Sequence, residues 1–154
     1  MRKRLIIGMR GASGAPLTIE LLKQLQQYKE IIETHLIVTK GAEMTLEQET
    51  DYTLEQLYAL ADDVHDNYNT GAGPASGSYR TMGMIVIPCS MKTLAGIVSG
   101  YSDNLVLRAA DITLKERRKK ISLPENGLSR YGNLLNNRCL YWQEYIMIIW
   151  KRNS

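Results

Sequence analysis

The sequence predicts an α/β fold in which helices cover both faces of a parallel sheet, and three observations support it. Short apolar runs rich in β-branched residues recur at 5–8, 34–39 and 84–88, which is typical of strands buried on both faces. Segments with apolar residues at helical spacing lie between these runs, so strands and helices alternate along the chain. The chain has 154 residues, 44% of them hydrophobic, which is enough for one domain with a substantial core.

The first strand, residues 5–8, breaks into a glycine-rich turn. Gly11 and Gly14 lack the Cβ atoms that would keep a ligand away from the backbone, and Ser13 adds a hydroxyl. The helix that begins at Pro16 presents unpaired N–H groups and a partial positive charge at this turn. The turn is therefore suited to a phosphate, although a tight strand-to-helix connection without a ligand explains the same glycines when this motif is taken alone.

The first helix and the second strand together indicate a parallel βαβ unit. In the helix that begins at Pro16 the leucines share one face, which we expect to cover the sheet: Leu17, Leu21, Leu22 and Leu25. The second strand, residues 34–39, ends in Thr39 and Lys40, where a dinucleotide-binding unit carries an acidic residue for the ribose. The sequence therefore disfavours a dinucleotide and favours a monophosphate ligand.

Residues 41–63 form one helical pattern, and a long loop follows at 66–78. The apolar residues of the helical pattern share one face: Leu54, Leu57, Leu60 and Ala61. Glu49 lies among the carboxylates of the opposite face, where a solvated role and a functional role are both open. His35 and His65 stand alone without ligand-type spacing, so the sequence predicts no metal site. The loop is rich in glycine and serine, and its length is typical of a functional segment.

A second turn follows the third strand, residues 84–88, and repeats the design of the first. Hydroxyls and helix-start N–H groups occur together over 89–93, at the carboxyl end of a strand, where open α/β sheets bind ligands. Two such turns on one edge of a sheet favour a binding site. Cys89 has no visible paired base, which favours a small buried residue over a nucleophile.

The next helix begins after residue 101, with Ser102 or Asp103 as its predicted cap. Arg108 lies off the packed face of this helix and is free to bind an anion. The basic run 115–120 falls in the predicted last turn, where cations complement the helix dipole. The packed face comprises Leu105, Val106, Ala109, Ala110 and Leu114.

Composition disfavours several classes of protein. The net charge of +3 is modest and its basic residues are mostly dispersed, so we expect no nucleic-acid partner. Two cysteines do not make a disulfide framework, and the first apolar run is too short for a signal peptide. No apolar stretch reaches the roughly 18 to 20 residues that a membrane span needs. We therefore expect a soluble cytoplasmic protein with no membrane partner.

Four ordered motifs closely resemble those of the flavin prenyltransferase family, formerly called aromatic-acid or phenylacrylic-acid decarboxylases. They are GASGA at 11–15, PASGS at 74–78, PCSMKT at 88–93, and YSDNLVLRAAD at 101–111 with LKERR at 114–118. The likeness extends over residues 4–123. It implies a flavodoxin-like, Rossmann-like three-layer sheet that binds FMN and joins a dimethylallyl group from dimethylallyl phosphate to flavin N5 and C6 without a metal. It also implies a homo-oligomer whose product serves a separate decarboxylase dependent on prenylated FMN.

The resemblance also assigns roles to specific positions. The FMN contacts that it implies are Gly11, Ala12, Ser13, Thr39, Ser90, Met91, Lys92, Thr93 and Arg108. Ser13, Glu49 and Lys115 match family positions close to the reacting flavin and the prenyl phosphate, and they are the predicted catalytic residues. Arg10 replaces the small hydroxyl residue that the family usually has before the first glycine.

The likeness ends after Leu123, so we expect an FMN-binding domain over 1–123 and a divergent tail over 124–154. Some synonymous codon choices at 131–138, read one nucleotide later, give a family-like segment, which suggests a frameshifted and truncated member. The family binds the prenyl phosphate partly through a later Tyr and Arg, so this chain is expected to keep FMN affinity better than catalysis. Two alternatives remain: an FMN-binding protein without transfer activity, and an aromatic-acid decarboxylase subunit.

Overall fold

The computed structural model describes residues 1–124 and contains a five-stranded sheet with helices on both faces. The strands are β1 (Lys3–Met9), β2 (Ile32–Val38), β3 (Asp63–Asp66), β4 (Gly83–Cys89) and β5 (Lys119–Pro124). The helices are α1 (Ala15–Leu25), α2 (Lys40–Glu49), α3 (Leu54–Tyr58), α4 (Met91–Ser99) and α5 (Leu105–Lys115). The strand order is β3-β2-β1-β4-β5, and every neighbouring pair is parallel. The predicted three-layer α/β fold is confirmed.

Apolar side chains alternate along the central strands, so each face of the sheet has its own core. One core lies against α1–α3 and includes Leu5, Ile7, Met9, Leu22, Leu36, Leu46, Leu57, Ile85 and Ile87. The other lies against α4 and α5 and includes Ile6, Ile37, Met84, Val86, Leu94, Leu105, Val106 and Ala109. Because both faces of β1, β2 and β4 are covered, the edge of the sheet where these strands end is left to form a site.

The single helix predicted over 41–63 is wrong, because this segment forms two helices and the approach to a strand. α2 ends at Glu49, and a capping box between Thr53 and Gln56 starts α3 five residues later. After α3, the chain enters β3, which pairs with β2 at the edge of the sheet. β3 has the sequence DVHD, and such a short polar strand carries no apolar periodicity that sequence reasoning could detect.

Three smaller expectations are also corrected. In α1, Leu21 and Leu22 are buried as predicted, but Leu17 is 46% exposed, and Thr18 and Ile19 lie on the buried side instead. The N-cap of α5 is Asn104, whose side chain accepts a hydrogen bond from the N–H of Leu107. The basic run does not stay in α5, because the helix ends at Lys115 and the residues from Lys119 onward belong to β5.

The predicted tail, 124–154, lies outside the described residues except for its first position. Over the part of the chain that the structure does describe, no helix has both the length and the hydropathy required to cross a membrane.

Candidate functional site

Three loops meet at the edge of the sheet where β1, β2 and β4 end, and we call this edge the rim. These strands are parallel neighbours, so the loops after Met9, Val38 and Cys89 emerge on the same side. The first loop contacts the other two directly. Arg10 Nε donates to Thr93 Oγ1 at 2.7 Å, and the N–H of Thr39 donates to the carbonyl of Met9 at 3.1 Å. The prediction that these loops form one rim is confirmed.

The two glycines of the first loop are explained by close packing of the protein on itself. A Cβ at Gly11 would lie 2.8 Å from the carbonyl carbon of Gly41, a distance that real side chains do not adopt. Gly14 has φ +120°, a conformation that favours glycine, and a Cβ there would lie 3.3 Å from Cβ of Pro88. Gly11 therefore allows the first loop to contact the start of α2.

Glu49, the last residue of α2, binds the N-terminus of α1. Its Oε1 accepts a hydrogen bond from Ser13 Oγ at 2.6 Å, and its Oε2 accepts from the N–H groups of Gly14 and Ala15, each at 2.9 Å. The Ser13 hydroxyl and these backbone N–H groups hold the pKa of Glu49 below its usual value. The carboxylate stands where the sequence predicts a phosphate, so that expectation for the first turn is corrected.

The N-terminus of α4 is arranged differently. Ser90 caps the helix by accepting from the N–H of Thr93 at 3.2 Å, and the two hydroxyls lie 2.9 Å apart. Among the described residues, the N–H groups of Met91 and Lys92 have no hydrogen-bond partner. These N–H groups lie at the N-terminal end of α4, which carries the partial positive charge of the helix dipole. The second turn can therefore bind an anion through these N–H groups, whereas those of the first turn are already bonded to Glu49.

Arg10 adds a cation to the second turn. Its side chain is partly buried, and this burial lowers the pKa of the guanidinium. Within residues 1–124 its only hydrogen bond runs from Nε to Thr93, and no carboxylate lies within ion-pair distance. Because a guanidinium has five donors, Arg10 retains N–H groups for an anionic ligand beside α4.

Two further predicted residues lie on the rim side of the molecule. Thr39 is buried and caps α2, its Oγ1 accepting from the N–H of Ala42 at 3.2 Å. α5 begins beside Asn67, the residue that follows β3, because the N–H of Leu105 donates to the carbonyl of Asn67 at 2.9 Å. Arg108 is therefore one turn from the rim; it is exposed, and its side chain has no hydrogen bond or ion pair among the described residues.

Lys115 lies at the other end of α5. Just beyond this end, the Arg118 guanidinium donates to the carbonyls of Gly77 and Tyr79, at 2.7 and 2.9 Å. The Tyr79 ring in turn lies 4.3 Å from the guanidinium carbon of Arg4, near the start of β1. Lys115 is thus close to the amino end of the sheet. Within a single copy of the chain it does not lie near Ser13 and Glu49, which are at the opposite end.

The structure corrects the expectation that His35 and His65 stand apart. Their ring nitrogens, Nδ1 of His35 and Nε2 of His65, are 3.0 Å apart, and Asp63 lies beside both. Sequence reasoning missed this cluster because it missed β3, whose pairing with β2 brings the two histidines together.

Comparisons with known proteins establish the family. The family described as Flavoprotein matches residues 1–140. The chain belongs to the flavoprotein family.

Relatives of this flavoprotein include UbiX-like flavin prenyltransferases, which confirms the resemblance based on the motifs. The probable UbiX-like flavin prenyltransferase of Sedimentibacter hydroxybenzoicus is 52% identical over 121 residues, covering 79% of this chain and 64% of the relative. Flavin prenyltransferase UbiX of Escherichia coli (strain K12) is 51% identical over 116 residues, covering 75% of this chain and 61% of the relative. The chain therefore spans less than two thirds of the length of these relatives.

Solved structures agree with the flavodoxin-like fold. The dodecameric FMN-dependent UbiX-like decarboxylase from Escherichia coli O157:H7 superimposes with a TM-score of 0.78 at 53% identity, over 80% of this flavoprotein and 67% of that chain. AnUbiX (PadA1), solved in complex with FMN and dimethylallyl pyrophosphate, gives a TM-score of 0.79 at 47% identity, over 84% of this flavoprotein and 69% of that chain.

Proposed function

We propose that this flavoprotein binds FMN at the rim and transfers a dimethylallyl group from dimethylallyl phosphate to the reduced flavin. One observation carries the proposal: the Ser13–Glu49 pair lies on the same rim as the open N-terminus of α4. A fixed carboxylate beside a helix N-terminus suited to an anion fits a reaction in which the flavin phosphate is held while an allylic group leaves its own phosphate and bonds to the flavin ring. The names of the relatives and the ligands of AnUbiX support this function.

The FMN phosphate is assigned to the second turn, formed by Ser90, Met91, Lys92 and Thr93. The two N–H groups at the start of α4 that have no partner within residues 1–124, together with the remaining donors of Arg10, fit a phosphate there. Gly11, Ala12 and Ser13 lie under the flavin ring in this proposal, and Thr39 and Arg108 provide further polar contacts from neighbouring elements. This assignment places the flavin site within 1–123 and leaves the tail, 124–154, outside it.

Ser13 and Glu49 act at the reacting end of the flavin in this proposal. Bound FMN, once reduced, supplies the nucleophilic positions of its ring. Glu49 is ionised at neutral pH because its pKa is lowered by Ser13 and two backbone N–H groups. A carboxylate so placed can stabilise positive charge on an allylic carbon as the bond from that carbon to the phosphate oxygen lengthens.

Lys115 fits this mechanism as a residue of a neighbouring copy. It is exposed and lies away from the rim of its own chain, whereas a cation is needed near the departing phosphate. The exposed apolar side chains of α4 and the loop after it, Val98 and Tyr101, are 65% and 59% exposed, which is in keeping with a homo-oligomer. We further propose a cytoplasmic protein whose product is used by a separate decarboxylase.

The decisive experiment incubates the full chain anaerobically with reduced FMN and dimethylallyl phosphate, with dimethylallyl pyrophosphate in a parallel sample. Mass spectrometry of the released flavin should show the mass of one added dimethylallyl group, and the Glu49→Gln variant should show little. Glu47→Gln is the matched control, since Glu47 is an exposed carboxylate of the same helix. Flavin that binds but is unchanged would instead support an FMN-binding protein without transfer activity.

A decarboxylase subunit is the second candidate, favoured by the name of the Escherichia coli O157:H7 neighbour. The same preparation is therefore offered a phenolic acid with FMN. Carbon dioxide released by this protein alone would support the lyase and contradict the transferase.

A further inference from the structure

A cluster of metal-ligating side chains lies away from the rim, on the edge strand β3 and its neighbour β2. Nδ1 of His35 is 3.0 Å from Nε2 of His65, and the Asp63 carboxylate oxygen Oδ2 is 3.7 Å from the first nitrogen and 3.6 Å from the second. The cluster begins four residues before Thr39, or roughly 13 Å along β2 from the rim. It is therefore separate from the proposed flavin site.

The three distances match the spacing of ligands around a small cation. In a tetrahedral Zn²⁺ site with metal–ligand distances of about 2.0 to 2.2 Å, neighbouring ligand atoms lie roughly 3.3 to 3.6 Å apart. The observed separations of 3.0, 3.6 and 3.7 Å bracket this spacing. One cation can therefore contact all three atoms with only small side-chain movements.

Strand pairing fixes this arrangement. His35 is paired with Asp63, and Ile37 with His65, in the parallel register of β2 and β3. Because side chains two residues apart share a face, Asp63 and His65 project from the same face as His35. The backbone therefore holds the three donors close together before any cation binds. Binding then requires little further ordering of the chain.

Glu33 orients His35 from the side away from the other two donors. Its Oε1 lies 2.8 Å from Nε2 of His35, which places the ring proton on Nε2 and leaves the lone pair of Nδ1 directed at the cluster. Metal-binding histidines in proteins commonly donate their second N–H to a carboxylate in this way. The cluster thus has an outer partner as well as three donors.

The burial of the cluster provides an entry path and an open coordination position. The His35 side chain is only 3% exposed and that of His65 14%, whereas the Asp63 side chain is 57% exposed. A cation can enter from the Asp63 side and keep water as its fourth ligand. The Tyr79 hydroxyl competes with a cation for Nδ1 of His35, because its oxygen lies 3.0 Å from that nitrogen. Burial raises the pKa of the Tyr79 phenol, which keeps its proton available for this hydrogen bond.

We propose that His35, Asp63 and His65 form a Zn²⁺ site that joins the edge strand β3 to β2. Two imidazoles and one carboxylate form a donor set that Zn²⁺ accepts readily, whereas Mg²⁺ and Ca²⁺ prefer oxygen donors alone. A cation bound only in the folded state stabilises that state, and here it would stabilise the pairing of a strand only four residues long.

The test titrates the full chain, made without a histidine tag and stripped with a chelator, with Co²⁺ and then Zn²⁺. The expected result is one equivalent of Co²⁺ with the visible spectrum of a four-coordinate nitrogen and oxygen site, displaced by Zn²⁺. These are the two histidines of the whole chain, so imidazole ligation assigns the site without ambiguity. Strong thiolate-to-cobalt absorption would instead indicate cysteine ligation and overturn the proposal.

Variants identify the donors. Asp63→Asn and His65→Asn should each abolish tight Zn²⁺ binding, and Glu33→Gln should weaken it by about 10- to 100-fold, as loss of an outer partner does. Tyr79→Phe removes the competing hydroxyl and should bind Zn²⁺ at least as tightly as the unaltered chain. Asp66→Asn is the matched control, because Asp66 lies on β3 with its side chain on the opposite face.

Two further results would overturn the proposal. One is a chain that binds no Zn²⁺ up to about 1 mM, since a site with preformed donors should bind far more tightly than that. The other is binding that survives in both Asp63→Asn and His65→Asn. Circular dichroism of the exposed-residue variant Asp63→Asn shows whether the fold is kept, so lost binding there is not attributable to unfolding.

Discussion

The two turns of the rim start from the same local pattern and reach opposite outcomes. Each follows a buried strand, contains small or hydroxyl residues, and leads into a helix. The N-terminus of α1 is bound by the carboxylate of Glu49, whereas the N-terminus of α4, beside Arg10, has N–H groups that bond to nothing in the described part of the chain. The same helix-start chemistry therefore serves internal structure at one turn and is left for a ligand at the other.

The difference arises from a residue far away in the sequence. Glu49 is 36 positions after Ser13 and reaches it because α2 ends beside the first loop. The close approach of Gly11 to Gly41 holds the start of α2 against that loop. A turn motif indicates that an anion suits the position, but only the tertiary fold determines whether the anion is a ligand or a side chain.

The largest expected effect comes from removing the charge at the first turn. Glu49→Gln should lower the rate of prenyl transfer by roughly 10²- to 10³-fold, the usual effect of losing one fixed electrostatic group. FMN affinity should change by less than about threefold, because the flavin phosphate is assigned to the second turn. Single-turnover rates and flavin fluorescence titrations measure the two quantities separately. Equal losses of rate and affinity would show that Glu49 also holds the cofactor.

At the second turn, the expected effect is on affinity. Arg10→Ala removes a charged donor, and a hydrogen bond to a charged group contributes about 1.5 to 3 kcal/mol, so FMN should bind about 10-fold more weakly or worse. Arg80→Ala is the control, since Arg80 is an exposed arginine of the loop before β4. Unchanged FMN affinity in Arg10→Ala would place the phosphate elsewhere.

The pH dependence of stability should report the first turn. The pKa of Glu49 is lowered in the folded state, so its contribution to stability is present above its unfolded value and is lost as the pH falls through the folded value. Ser13→Ala removes the main cause of the lowered pKa, so the contribution of Glu49 should be smaller and its loss should be complete at a higher pH. Acid unfolding followed by circular dichroism compares the two proteins, and identical acid midpoints would contradict the role given to Ser13.

The smallest effect is expected at Thr39. Thr39→Ala deletes the cap of α2, which should cost about 1 kcal/mol of unfolding free energy. Thr39→Ser keeps the hydroxyl and should restore most of it. FMN titrations of both variants then show whether the hydroxyl also contacts the cofactor, as proposed. A loss of affinity in Thr39→Ala without any loss of stability would mean that the hydroxyl acts only on the ligand.

The sequence was sufficient for the fold class and the rim, because those depend on local patterns. Apolar β-branched runs identified β1, β2 and β4, and parallel strands bring the loops at their carboxyl ends together. β3 was missed because its sequence, DVHD, is short and polar, and β5, KKISLP, was missed because it begins within a basic run. With β3 missed, the pairing of His35 with Asp63 and of Ile37 with His65 could not be predicted.

The candidate site was only partly predictable for a similar reason. The motifs identified Ser13, Ser90 and Thr93, and the family resemblance added Glu49, but neither showed that Glu49 binds the backbone of α1 or that Arg10 bonds to Thr93. Both interactions join segments distant in sequence, and both use side chains whose usual place is at the surface.

The contrast between the two turns should also appear in the exchange of backbone amide hydrogens with solvent. The amides of Gly14 and Ala15 are bonded across to α2, so they exchange only when Glu49 swings away or the two helices separate. Those of Met91 and Lys92 have no such partner among the described residues and should exchange quickly until a ligand covers them. Slowed exchange at these two positions alone, on addition of flavin, would therefore mark the bound phosphate without any need to observe the reaction.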